Sequence, residues 1–356
     1  MHCKKKKMES LKEYLSMISP YLLNHITGKP RDFINIFNQE TYLSEEVFAL
    51  KICGGKKDEN YYRELKSRTK KILQALVVIS APKGDNLVKK KYDFCQRNFL
   101  VGQKMLNKGK RKEGMRLIKL AWRNAVDYDF VYMACELSSI LFHDHVYYHK
   151  NKTKAKFYEQ QVDKYLEAYT AEKQSEKYYF QVVGQMSRSG SPEIIEYALK
   201  QMKKQKGKSI KCEFYQTALN ILYGFDTRNY KLVVKSCDKA LAFFKNKKGV
   251  YNSQYQVFWS KRGMALMAIS QHREAALSFE KAHSYAHPKS YNDYLIRLYK
   301  TFNALQSGDY ETAHQLYLQN RRCPLPTIHQ QFAIIEAYLC FLANSGSLML
   351  RKTFRL

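Results

Sequence analysis

The chain has 356 residues, with 61 Lys and Arg against 32 Asp and Glu, a formal net charge of +29 and a pI near 9.6. Its 15 Gly and 7 Pro make up about 6% of the residues, half of the roughly 12% usual in globular chains, too little turn chemistry for a many-stranded β fold. A 45% apolar share with 14% aromatics excludes global disorder despite the charge, and the length allows two or three domains or one elongated repeat array.

The eight cysteines (Cys3, Cys53, Cys95, Cys135, Cys212, Cys237, Cys323, Cys340) lie far apart with no C-x-x-C pair, the pattern of a reduced, cytoplasmic protein whose thiols serve as small core residues. The basic opening ends in Glu9, Lys12 and Glu13 before an apolar stretch develops, so no secretory leader is expected. Ile72 to Ala81 and Phe332 to Ala343 are the most apolar runs, and both fall short of the roughly 20 residues of a membrane span.

In chain order, residues 1–82 read as a helical cap or subdomain with helices near 9–24, 31–38, 44–53 and 58–80. Gly28-Lys29-Pro30 and Gly54-Gly55 break them, and Pro82 to Asp85 ends the segment. Residues 83–356 carry a different signal, the internal spacing of a 34-residue unit that recurs along the segment with off-pattern helical stretches between copies. With Cys95 as position 1, Gly102 stands at 8, Met105 at 11, Gly109 at 15, Gly114 at 20, Ile118 at 24 and Ala121 at 27. Residues 129–171 begin in the same register and continue into a long charged helix, in which Tyr158, Val162, Tyr165 and Tyr169 follow helical spacing. Another pair spans 173–206, broken at Ser189-Gly190-Ser191-Pro192, where Ser191 suits an N-cap and Pro192 a first helical position.

A weaker copy starts at Phe214, with Gly224 at position 11, Tyr230 at 17 and Ala240 at 27. The clearest unit, 256–289, places Trp259 at 4, Gly263 at 8, Leu266 at 11, Ala275 at 20, Phe279 at 24 and Ala282 at 27. Unit 294–327 keeps Gly308 at 15, Tyr310 at 17, Ala313 at 20 and Tyr317 at 24. Ile328 to Ala343 then reads as a first helix without its partner. The physical content is a helical hairpin: small residues at 8 and 20 let two helices approach, larger ones at 4, 11 and 24 fill the space beside them, and a polar turn near 15 reverses the chain. One such hairpin cannot bury its own apolar face and must stack on neighbours.

These positions resemble the tetratricopeptide-repeat (TPR) family over about residues 86–345, most specifically in units 95–128, 256–289 and 294–327. The N-terminal helices followed by lysine- and tyrosine-rich degenerate repeats also resemble TPR proteins of Bacteroidetes-type bacteria. The resemblance implies an all-α, right-handed TPR-like helical-hairpin solenoid with an N-terminal helical cap, acting as a non-catalytic scaffold for a protein or peptide partner. It also implies that first helices line a concave face, here with Phe99, Gln103, Met264, Met267, Leu298 and Phe302. The Lys and Asn clamp of chaperone-binding TPR domains is absent from these positions. An apolar face of this kind either receives an amphipathic peptide or is buried by tight curvature.

Charge is densest over 81–127, where 13 Lys and Arg face 4 Asp and Glu. Lys89, Lys90, Lys91, Lys108, Lys110, Arg111 and Lys112 form the patch, with Tyr92, Phe94 and Phe99 interleaved. Three readings stand: a solvated helix face, a surface for an acidic protein, or phosphate contact with base stacking. Ser44 to Cys53, the Gly54-Gly55 turn and a helix carrying Arg63, Lys66, Arg68, Lys70 and Lys71 could form a loose helix-turn-helix. The alternative function is therefore a nucleic-acid-associated or regulatory protein. His143, His145 and His149, and the pair His283/His287, read as surface histidines near turns rather than ligands. There is no P-loop, G-x-S-x-G or dinucleotide-binding glycine motif, so neither enzyme activity nor a cofactor or metal is expected.

Overall fold

The computed structural model describes residues 13–18, 20–39, 45–54, 58–79, 86–189, 192–203, 208–321, 323–328, 330, 331, 333, 335 and 339. Every regular element among them is helical. In chain order these are α1 (Pro20–Leu23), α2 (Lys29–Gln39), α3 (Glu45–Ile52), α4 (Glu59–Ile79), α5 (Leu87–Asn107), α6 (Arg111–Asp127), α7 (Val131–Tyr147), α8 (Lys152–Ser189), α9 (Pro192–Met202), α10 (Ile210–Asp226), α11 (Tyr230–Phe244), α12 (Asn252–Ala268), α13 (His272–Ser284), α14 (Tyr291–Gln306) and α15 (Tyr310–Asn320). None of the described helices is long and apolar enough to cross a membrane. The chain divides into two compact units, Met1–Leu117 and Ile118–Leu356. The break expected at residues 82 and 83 lies outside the described residues.

In the first unit, α2, α3 and α4 pack on one another around Phe33, Phe37, Phe48, Tyr62, Leu65 and Leu73. Phe33 meets Phe48 edge to face at 5.0 Å, the arrangement that ring quadrupoles favour. Gly28 supplies the positive φ of 68° that admits α2. α5 begins at Asn86, whose side chain accepts from the Lys89 N–H at 3.0 Å, and buries Val88, Cys95 and Gly102.

In the second unit, helices adjacent in sequence pack on each other from α7 through α15, and α10 also touches α12 as α12 touches α14. A left-handed residue recurs at position 15 of all four units: Gly109 (φ 72°), Arg228 (54°), Ser270 (60°) and Gly308 (78°). In three of them the next N–H returns to the carbonyl of position 11, Lys110 to Met105 at 2.8 Å, Gln271 to Leu266 at 2.9 Å and Asp309 to Ala304 at 3.0 Å. This is the bond that closes a helix end over an αL residue. The four turns therefore share one register.

The intervening segment departs from the expected layout. α7 runs on to Tyr147 and its left-handed residue is Lys150, seven residues beyond the position that register would give. The long second helix expected within 129–171 and the first helix of the pair expected over 173–206 are one continuous α8 of 38 residues. Nothing between Tyr169 and Glu176 breaks a helix, and both halves find partners, α7 on one side and α9 and α10 on the other. Pro192 opens α9 as expected, while Ser191 lies outside the described residues. Ile328, Ile335 and Leu339 are buried with Leu298 and Tyr317; most of the segment 328–343 lies outside the described residues.

Candidate interaction surfaces

The small residues of the repeat stand where two helices meet. A Cβ at Gly263 would lie 2.6 Å from the Phe279 ring; Phe279, Ala275 and Ala282 are fully buried. A Cβ at Gly114 would lie 2.9 Å from the Gly102 carbonyl oxygen. Ala121 and Ala313 are likewise fully buried. Trp259 is half-buried beneath the Arg262 guanidinium, 5.7 Å from its centroid.

The residues expected on a concave face are not an open apolar surface. Met264 and Met267 are half-buried against Leu266 and Phe279. Leu298 is buried, with Phe302 packed beside it in a separate cluster. Phe99 and Gln103 are half-buried on α5. Met264 Sδ also accepts from Lys261 Nζ at 3.8 Å, and burial pushes the Lys261 ammonium below its usual range.

The basic patch separates into two ends of α5. Lys89 and Lys90 are exposed in its first turn, and Lys91 is half-buried with Nζ 5.8 Å over the Phe94 ring. Lys108, Lys110 and Lys112 are exposed around the following turn, with Arg111 half-buried. At 1.5 Å per residue the two groups are about 25 Å apart along the helix. The interleaved Tyr92, Phe94 and Phe99 are half-buried.

Two polar junctions join separate helices. Asp293 is buried in the first turn of α14 and accepts from the Lys289 N–H at 2.9 Å, from Arg297 at 3.1 and 3.2 Å and from His283 Nε2 at 2.9 Å. Arg297 reaches on to Asn320 Oδ1 at 3.2 Å, tying α13, α14 and α15 together. Burial pushes the Asp293 carboxyl up, but these donors more than reverse it and hold it below the carboxylate range. A signal was present in sequence, since Ser290 to Asp293 has capping-box spacing, and Ser290 Oγ does accept from the Asp293 N–H at 3.2 Å.

The second junction lies at the start of α10. Asp129, left-handed at φ 57°, accepts from the Ile210 N–H at 2.6 Å across 81 residues. Glu172 of α8 is buried, with Oε2 3.6 Å from Lys211 Nζ and Oε1 without a hydrogen-bond partner among the described residues. Burial pushes both carboxyls up, Glu172 being partly offset by Lys211 and the Ser209 hydroxyl. Such a link over 81 residues leaves no trace in local spacing.

His145 corrects the expectation of a surface histidine. It is buried and stacks on Tyr158 with ring centroids 5.5 Å apart, while the neighbouring buried Asp144 lies 3.3 Å from His149 Nε2. His283 is the Asp293 partner, and His287 Nδ1 lies 3.0 Å from the Pro288 carbonyl oxygen. Among the described residues no group of three His, Cys, Asp or Glu side chains is arranged to hold a metal. The six described cysteines form no disulfide with one another, and four of them are buried; burial pushes Cys95 and Cys237 up to about 12, away from thiolate chemistry.

Comparison with family models, curated proteins and solved structures finds no match.

Proposed function

We propose that the chain is a TPR-like, non-catalytic helical scaffold of the cytoplasm that presents stacked hairpins to a protein or peptide partner. The carrying observation is the shared turn register: a left-handed residue at position 15 of four units, joined to the contacts of α10 with α12 and α12 with α14. Stacking of first helices on first helices is what a hairpin needs to bury its apolar face, and it leaves an extended surface rather than one reactive cleft. The half-buried Met264 and Met267 give such a surface adaptable thioethers.

Affinity capture from the native host, followed by cross-link mapping, tests this reading. A protein cross-linked to α10, α12 or α14, and lost on Met264→Glu with helical content unchanged, supports it. Captured material that disappears on nuclease treatment favours the alternative, a nucleic-acid-associated or regulatory role, to which the cationic residues of α4 and α5 lend support. That alternative predicts retention on heparin that falls steeply with salt.

A further inference from the structure

We propose that the outward face of α5 docks an acidic amphipathic helix of a protein partner. This rests on the scaffold reading and names the chemistry that one of its surfaces selects. The inward face of α5 is fixed by Val88, Cys95 and Gly102, buried at seven-residue intervals. On the opposite side Lys90, Arg97 and Lys104 repeat at the same interval, with Lys108 one turn further. Lys90, Lys104 and Lys108 are exposed and form no ion pair among the described residues, and Asp93 is the one carboxylate in the helix.

Beside this cationic stripe runs an apolar one: Leu87 at 56% exposure, half-buried Phe94 and Val101 at 43%, again seven residues apart. Residues seven apart on a helix are about 10.5 Å apart along its axis. A second helix lying alongside presents its own side chains at that same repeat. A partner with Leu-type residues on one stripe and Glu on the adjacent stripe would thus cover Leu87 and Val101 while facing Lys90, Lys104 and Lys108 with carboxylates. Electrostatic complementarity of this sort fixes register and partner choice more than raw affinity. Nucleic acid fits less well: Leu87, Leu100 and Val101 offer phosphates nothing, and the Phe94 ring is already half-buried below Lys91.

Fluorescence anisotropy of the full chain tests the inference with three labelled probes: a three-heptad peptide carrying adjacent Leu and Glu stripes, a scrambled peptide of equal composition, and a single-stranded oligonucleotide of equal charge. The patterned peptide is expected to bind about tenfold more tightly than the scrambled one, a difference of about 1.4 kcal/mol. Both Lys90→Glu/Lys104→Glu and Val101→Asp should erase that advantage, with melting temperatures matched to the parent. The milder Lys90→Gln/Lys104→Gln pair serves if the charge reversal unfolds the chain. Equal binding of both peptides, or a preference that survives the variants, overturns the docking surface on α5. Tighter, steeply salt-dependent binding of the oligonucleotide overturns it in favour of nucleic acid. The scaffold reading stands or falls separately, on a partner cross-linked to α10, α12 or α14.

Discussion

Gly263 on α12 faces the ring of Phe279 on α13 so closely that a Cβ at 263 would sit 2.6 Å from ring Cε1. In an isolated helix Gly263→Ala would gain about 1 kcal/mol in propensity. Here the ring is fully buried and has nowhere to turn, and overpacking of this kind costs about 1–3 kcal/mol. Gly263→Ala should therefore lower the denaturation midpoint. Adding Phe279→Leu should make the glycine change harmless or favourable, a coupling that a double-mutant cycle reads directly. Additive effects would show that the helices do not depend on this contact.

The four left-handed turns are unequal in cost. Gly109 and Gly308 adopt positive φ freely, whereas Arg228 at 54° and Ser270 at 60° do so with a side chain. The left-handed region costs an L-residue roughly 1–2 kcal/mol, and glycine gives back roughly 0.5–1 kcal/mol through its freer unfolded chain. Ser270→Gly should thus stabilise by about 0.5–1 kcal/mol and Gly308→Ala should destabilise by a similar amount. Thermal melts of the two variants should move in opposite directions; movement in the same direction would contradict the turn geometry.

The hairpins were readable because their determinants are local. Gly109 and Gly308 announce a turn, Gly263 and Ala275 announce a close approach, and each is read within the 34-residue window of its own unit. The middle of the second unit was not, because α8 obeys no window: its continuity through Glu172 depends on α7, α9 and α10 offering partners along both halves. The apolar first-helix residues were legible as apolar but not as packed. Leu298 is buried in a cluster with Tyr317, Cys323, Ile328, Ile335 and Leu339, residues that follow it in the chain beyond α14. The basic patch was legible as charge, and its division follows from helical rise once Lys91 lies in the first turns of α5 and Lys108 caps its far end.

Asp293 should make stability dependent on pH. Its carboxyl is held below the ordinary value of 3.8 by Lys289 N–H, Arg297 and His283, so the folded state binds this proton less readily than the unfolded one. The stabilisation is fully present above the unfolded-state value and is lost as pH falls through the folded one. Asp293→Asn should cost about 2–3 kcal/mol at neutral pH, the scale for losing charge-assisted bonds to a buried group. Urea midpoints of parent and variant should converge as the pH is taken below about 4. A gap that stays constant across this range would assign the loss to packing instead.

Glu172 should behave in the opposite sense. Burial raises its carboxyl above the ordinary 4.5 despite Lys211 and Ser209, so the folded state holds the proton more readily and gains stability as pH falls through the folded value. Oε1 is buried without a hydrogen-bond partner among the described residues, so a negative charge on this carboxyl goes unanswered by any donor at that oxygen. Glu172→Gln removes that buried charge and gives up an ion pair of 3.6 Å to an exposed lysine, a contact of small worth. The variant should be more stable by about 1 kcal/mol at pH 7 and indistinguishable from the parent in acid, as equilibrium unfolding at the two pH values would report. Destabilisation at pH 7 would mean that the Lys211 pair dominates.

Gly249, in the loop between α11 and α12, needs no unusual φ, so its local backbone would accept alanine. What forbids a side chain is the turn between α6 and α7: a Cβ at 249 would lie 2.0 Å from the Tyr128 carbonyl oxygen and 2.8 Å from its carbon. Neither atom belongs to a side chain that can rotate away. Relief would require moving the 127–130 turn, which is also tied to α10 through Asp129 and the Ile210 N–H. The neighbouring Lys248 to Asp127 pair at 3.3 Å is exposed and cannot hold the two segments together once they are wedged apart. Gly249→Ala should therefore cost more than Gly263→Ala, about 3 kcal/mol or more, and Lys248→Ala almost nothing. Hydrogen exchange separates the mechanisms: the Ile210 amide should lose protection in Gly249→Ala and keep it in Gly263→Ala, because only the first displaces the carboxylate that holds it.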